Sequence, residues 1–133
     1  MPESELPKAF HISPYEMMFF IALGDGPAYG YELATRFKQM TKGHMKFSFG
    51  TIYPFLRRME HKGEVRSRRD EKTGRVYYEL TRRGLESKKN VMKSAKHYQK
   101  EVDEKLLGIL AMHARVFGQK SLNTLLKQAR QSH

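Results

Sequence analysis

A mostly helical fold carrying one small β-hairpin is predicted for this 133-residue chain. Three observations predict it. Apolar residues recur at helical three- and four-residue steps through three short segments before Gly63, and again in a long stretch after Thr81. Between those regions the period switches to alternation on either side of the turn "DEKTG". Glycine, proline and capping residues stand where the segments meet.

The first helix opens in "HISPYEMMFFIALGDGPAYG". Ser13 is placed to cap it, Pro14 takes the first helical position where a missing N–H costs nothing, and Glu16 completes an S-x-x-E capping box. The helix is expected to run to about Leu23, with Gly24 ending it and Asp25-Gly26-Pro27 turning the chain. Its apolar residues (Met17, Met18, Phe19, Phe20, Ile21, Leu23) go nearly all round, which predicts burial against both its own module and a partner subunit. The second helix, "GYELATRFKQM", puts Leu33, Ala34, Phe37 and Met40 on one side.

The third helix lies in "SFGTIYPFLRRMEHKG", Ser48 to Gly63. Ser48 is a candidate N-cap, and Gly63 suits the left-handed C-terminal position. Ile52, Phe55, Leu56 and Met59 form an apolar stripe. Opposite it stand Gly50, Pro54, Arg57 and His61, flanked by Thr51, Tyr53 and Arg58. Gly50 removes bulk where the backbone must approach another surface, and Pro54 gives up one hydrogen bond about one turn in. The competing reading makes both of them boundary residues and starts the helix after Pro54.

Two short strands follow, about Glu64 to Arg69 and Arg75 to Leu80, with Gly74 supplying positive φ in the turn. Val76, Tyr78 and Leu80 share one face of the second strand, Tyr77 and Glu79 the other. Arg66, Arg68, Arg69, Lys72 and Arg75 crowd this ribbon, which would repel itself without a nearby anion. Three helices followed by a basic hairpin make a winged helix-turn-helix, with the third helix reading a major groove and the hairpin as the wing.

From Thr81, a plausible N-cap, a long helix is expected to reach about Gly118. Val91, Ala95, Tyr98, Val102, Leu106, Ile109 and Val116 recur close to a heptad stripe. A small winged domain cannot bury such a stripe, so these residues are the candidate dimerisation surface. A helix folding back on its own module is the alternative, and Gly108 is a candidate kink. The organisation expected is an N-terminal arm at 1–12, a winged-helix domain at 13–82, a dimerisation helix at 83–118, and a short helix or tail at 119–133. The domain boundary is drawn near Thr81 to Arg83.

The chain carries 25 Lys and Arg against 14 Asp and Glu, a net charge of +11. Residues 41–100 hold 17 of the basic and 6 of the acidic side chains, so the whole excess lies there. A localised excess suggests a bound polyanion, through focused potential and counterion release. With no cysteine, neither disulfides nor a thiolate metal site is indicated, and a reducing cytoplasm is the expected home. There is no run of about 18 apolar residues to span a membrane, and "MPESELPKAF" lacks the pattern of a signal peptide. The six histidines include no pair at helical ligand spacing, so neither a metal nor a cofactor is expected. The scarce carboxylates mostly sit beside basic residues, and Ser13, Ser48 and Ser67 have no evident base, so no enzyme is expected.

"GPAYGYEL" (26–33), "SFGTIYPFLRRMEHKGEV" (48–65) and "GRVYYELTRRG" (74–84) together resemble the PadR family of bacterial and archaeal transcriptional regulators. The similarity covers about residues 13–84 and is specific because three separated motifs occur in order. Met59 stands where the family pattern has Leu, a volume-conserving change. The resemblance implies a homodimeric repressor on an inverted-repeat, near-palindromic double-stranded DNA operator. It also implies that Ser48, Thr51, Tyr53 and Arg57 lie in or near the DNA face, with Lys72, Thr73, Gly74 and Arg75 at the wing tip. Tyr29 and Tyr31 would stand where helix two meets a phosphate; Arg58 is counted with the same surface. Members of the family respond to phenolic acids, to drugs, or to no known ligand. An aromatic effector near Tyr98 stays open here, beside the reading of Tyr98 as core. The rival readings are a winged-helix module for protein or RNA, and a multidrug sensor on the same scaffold.

Overall fold

The computed structural model describes residues 14–131. The expected cap at Ser13 and the arm at 1–12 lie outside the described residues. The elements run α1 (Pro14–Gly24), α2 (Gly30–Met40), α3 (Phe49–His61), β1 (Val65–Arg69), β2 (Val76–Leu80), α4 (Arg82–His97), α5 (Gln99–Phe117) and α6 (Gln119–Gln131). Two compact units are formed, residues 14–94 and 95–131. This is the mostly helical fold with a two-stranded hairpin that the sequence predicts.

The core of the first unit is aromatic. Phe19 of α1 stacks on Phe55 of α3 at 4.3 Å between ring centroids and meets Phe37 of α2 edge-on at 4.8 Å. Leu33, Ile52 and Leu56 are fully buried around them. Burial of this size stabilises by roughly 1.5–3 kcal/mol per large apolar side chain. It also fixes which side of α3 faces out. The all-round apolar character of α1 is only partly spent on this core, because Ile21 and Tyr15 stay exposed.

Helix α3 starts at Phe49, so Gly50 and Pro54 are inside it rather than ahead of it. Ser48 occupies the N-cap position with extended backbone, but its hydroxyl makes no capping bond; it lies 3.4 Å from the Thr51 hydroxyl instead. The C-terminal end closes by backbone alone. Gly63, at φ +77°, donates its N–H to the Glu60 carbonyl, and the Glu64 N–H reaches the Met59 carbonyl, each at 2.9 Å. This double closure is the left-handed glycine cap.

β1 and β2 pair antiparallel, with Arg68 opposite Tyr77 and Arg66 opposite Glu79. Their turn is held by Asp70, whose carboxylate accepts from the Lys72 N–H (3.2 Å) and the Thr73 hydroxyl (2.9 Å). Thr81 caps α4, its hydroxyl accepting the Gly84 N–H at 3.1 Å and donating to the Gly63 carbonyl. Helix and strand approach so closely here that a Cβ on Gly84 would fall 2.0 Å from the Glu64 carbonyl oxygen. Val91 and Met92 then pack α4 against the winged core. The first turns of α4 therefore stay with residues 14–94, past the boundary drawn near Thr81 to Arg83.

The single helix expected from Thr81 to Gly118 is instead two. Tyr98 breaks it with φ −100° and ψ 17°, and α5 stays helical through Gly108, the candidate kink. Charges suit the break. Lys96 and His97 close α4, and Glu101 opens α5, each sign opposing the helix dipole at that terminus. α5 ends at Gly118, at φ +95°, and α6 packs beside it, burying Leu122.

Gly84→Ala is expected to cost about 1–3 kcal/mol, read as a lower urea midpoint at fixed protein concentration. A second prediction concerns Glu16, whose carboxyl is held above its ordinary value of 4.5 by burial and then by Glu64, against the opposing charge of Lys62. The raised value means that the folded state binds the proton more tightly, so this residue costs stability as pH rises through 4.5. Glu16→Gln should melt higher than the wild type at neutral pH and lose that advantage in acid.

Candidate nucleic-acid interface

The outward side of α3 carries Ser48, Gly50, Thr51, Tyr53, Arg57 and Arg58, all exposed. Tyr53 tilts against Phe49 with centroids 5.8 Å apart. Gly50 meets only the Ser48 hydroxyl, at 3.6 Å from where a Cβ would stand. Among the described residues, then, the chain's own packing does not demand a glycine there. Pro54 has no N–H to give the Gly50 carbonyl, so this oxygen lacks its helical donor on the same face. Arg58 differs from Arg57 in lying over the Phe55 ring, 4.8 Å from its centroid.

The wing is fastened to α3 and to the start of α2. Glu60 of α3 accepts the Ser67 hydroxyl of β1 at 2.7 Å. Ala28, just before α2, exchanges both backbone hydrogen bonds with Tyr78 of β2, at 3.0 and 2.8 Å. Between them the Tyr78 hydroxyl is pushed above its ordinary value of 10.0 by burial first, then by Glu60 and Tyr53, with Arg57 opposing. Gly30 completes the junction, because a Cβ there would fall 2.4 Å from the Tyr53 hydroxyl oxygen. A larger residue at position 30 would push the hydroxyl end of Tyr53 away from the start of α2.

Arg36 secures the loop ahead of this junction. Its Nη1 donates to the Ala22 and Gly26 carbonyls at 2.9 and 2.7 Å, and its Nη2 to the Pro27 carbonyl at 3.2 Å. Glu32 accepts the Tyr29 N–H at 3.3 Å, as the third residue of a helix does in a capping box.

The wing cations are more ordered than a self-repelling ribbon would be. Arg66 pairs with Glu79 at 2.7 Å. The Arg68 guanidinium stands 5.9 Å over the Tyr77 ring, and that of Arg75 4.5 Å over the ring of Tyr29. Both distances fall within cation–π range. Tyr29 also meets Tyr77 edge-on at 5.5 Å and stacks near-parallel with Tyr31 at 6.3 Å. A side-chain hydrogen bond to Tyr77, then the neighbouring Tyr29, push the Arg75 guanidinium further up from its already high value. It is a fixed cation.

The model from the PadR family, described as the transcriptional regulator PadR-like family, matches residues 20–90, more than half of the chain. This chain belongs to the PadR-like family of transcriptional regulators. The winged unit recurs in solved structures. A PadR family transcription regulator from Clostridium difficile is 24% identical, with TM-score 0.60, over 71% of this chain and 99% of that one. A PadR-like regulator from Bacillus cereus is 27% identical, with TM-score 0.56, over 69% and 90%. A transcriptional regulator from Clostridium thermocellum is 23% identical, with TM-score 0.61, over 67% and 89%. Among curated proteins none matches.

In this PadR-like regulator the candidate residues of the third helix and the wing share one unit with Tyr29 and Tyr31. Lys72, Thr73 and Gly74 form the exposed turn, Gly74 at φ +74°. The dimerisation candidates divide. Val91 packs on the winged core, Ala95 and Tyr98 are half-buried, and Tyr98 meets His97 edge-on at 4.6 Å. On α5, Val102, Leu106, Ile109 and Val116 are exposed, as are Leu107, Met112 and Phe117. Three partners escaped the sequence reading: Tyr77, Arg36 and Gly30. Tyr77 was signalled by its place opposite Arg68 in the strand alternation; nothing local marks the other two. Among the described residues no group of three or more His, Asp or Glu could hold a metal ion, and no helix is long and apolar enough to cross a membrane.

Proposed function

We propose that this regulator binds double-stranded DNA in a sequence-specific way, as a homodimer on a near-palindromic operator, and acts as a repressor in the cytoplasm. The observation that carries this reading is the junction at residues 28–30, which joins the outward face of α3 to the cationic wing. The glycine-bearing end of α3 would enter a major groove, where helix N–H groups and the dipole also favour phosphate. Arg57 is the candidate for a base edge, Lys72 and Arg75 for the phosphate backbone. Ser48, Thr51, Tyr53 and Arg58 border the first contact, Thr73 and Gly74 the second.

The exposed row of α5 supports the dimer. Leu106, Ile109, Met112 and Val116 are each more than half exposed in a single chain, and covering apolar surface gains about 25 cal/mol per Å². A second copy of the same helix supplies a matching row by two-fold symmetry. Tyr98 beside this row is where an aromatic effector would be sought.

Selection of bound duplexes from a random pool tests the reading. A palindromic consensus is expected, with half-site centres about 34–36 Å apart; a pool that stays random would overturn it. On the selected operator, Arg57→Ala should lose roughly 1–3 kcal/mol of discrimination between right and wrong bases. Lys72→Ala should weaken operator and random duplex alike and lower the salt dependence by about one phosphate contact. Fluorescence anisotropy at several salt concentrations measures both.

A further inference from the structure

Tyr29 stands where the resemblance would bring the start of helix two to a phosphate, yet its ring is already occupied. The Arg75 guanidinium covers one part of it at 4.5 Å, and Tyr77 closes on it edge-on at 5.5 Å. The ring itself is half-buried, whereas its neighbour Tyr31 is 65% exposed. We propose that Tyr29 is a positioning residue that acts on DNA through Arg75, holding the wing arginine at a set distance from α2 before any DNA arrives. The inference rests on the DNA-binding reading above and assigns Tyr29 a role within it.

The backbone around Tyr29 is fixed from several sides. On one flank Ala28 is bridged to Tyr78. On the other Gly30 abuts the Tyr53 ring of α3. Glu32 holds the Tyr29 N–H, and Arg36 holds the carbonyls of the preceding loop. A platform this well tied transmits its position to whatever stacks on it.

Arg75 needs such a platform. It is exposed just before β2, where Tyr77 also engages its guanidinium, and an arginine without the ring of Tyr29 beneath it would sample more rotamers, all but a few of which are lost when it meets a phosphate. Stacking removes most of that freedom in advance, while the guanidinium edge keeps N–H donors for an incoming anion. Preorganisation of this kind raises affinity without a new contact. Arg66, by contrast, is spent on Glu79, and Arg68 lies at the far edge of cation–π range from Tyr77.

A double-mutant cycle on the selected operator tests the proposal, with Tyr29→Leu, Tyr29→Phe, Arg75→Ala and the Tyr29→Leu/Arg75→Ala pair, titrated by anisotropy. Tyr29→Phe keeps the ring face and should bind within about twofold of the wild type, whereas Tyr29→Leu should bind roughly three- to ten-fold more weakly. Once Arg75 is alanine, Tyr29→Leu should add no further loss. In the DNA-free protein, the Arg75 Nε–H resonance should be sharp and shifted by the ring current in the wild type and in Tyr29→Phe, and averaged in Tyr29→Leu.

Equal losses for Tyr29→Phe and Tyr29→Leu would mean that the hydroxyl carries the effect, and additive losses in the pair that Tyr29 acts apart from Arg75; with either result the proposal falls. An Arg75 resonance indifferent to Tyr29→Leu sinks it as well. Should the wild type bind neither operator nor random duplex, the DNA-binding reading itself fails and takes the inference with it; that result is distinct from a wild type that binds beside variants that show no coupling.

Discussion

Two backbone hydrogen bonds between Ala28 and Tyr78 join the loop ahead of α2 to the second strand of the wing, and the proposed interface depends on that join. Without it the hairpin would be a two-stranded ribbon, marginal by itself in water. With it, the hairpin takes its place from the same buried core that sets α3. Tyr78 and Leu80 pack inward onto that core, so the other face of β2 presents Tyr77 to the arginines outside.

The aromatic stack of Phe19 on Phe55 has a comparable influence on α3. A helix carrying Gly50 and Pro54 near its N-terminus has poor intrinsic stability. Its buried stripe holds it in place, with Ile52 and Leu56 fully enclosed, and the backbone cap at Gly63 closes the other end. Tertiary packing thereby offsets losses that propensity alone would charge to the outward face. Local rules are broken on the side turned to solvent and kept on the side turned to the core, a pattern expected where a surface is shaped for a partner.

The unit at 95–131 has a different balance. α5 has no buried residue among its members, and its apolar row faces water in a single chain. Most helical stability comes from packing an apolar face rather than from propensity, so α5 draws on α6 and, in the proposed dimer, on its own copy. The break at Tyr98 lets α4 follow the winged core through Val91 and Met92 while α5 answers to other contacts.

The sequence by itself determined the elements whose causes are local. The Ser13 cap aside, which lies outside the described residues, these include the end of α3 at Gly63, the Asp70–Gly74 turn, the cap at Thr81 and the outward position of Gly50 and Arg57. Each follows from φ preference, capping chemistry or period, which neighbouring residues suffice to specify. Only the tertiary structure decided that Arg75 lies on Tyr29, that Gly30 yields to Tyr53, that Arg36 gathers three carbonyls, and that the long helix parts at Tyr98. Those contacts join segments far apart in the chain or balance competing packing surfaces, and no periodicity within one segment records a partner that arrives from another.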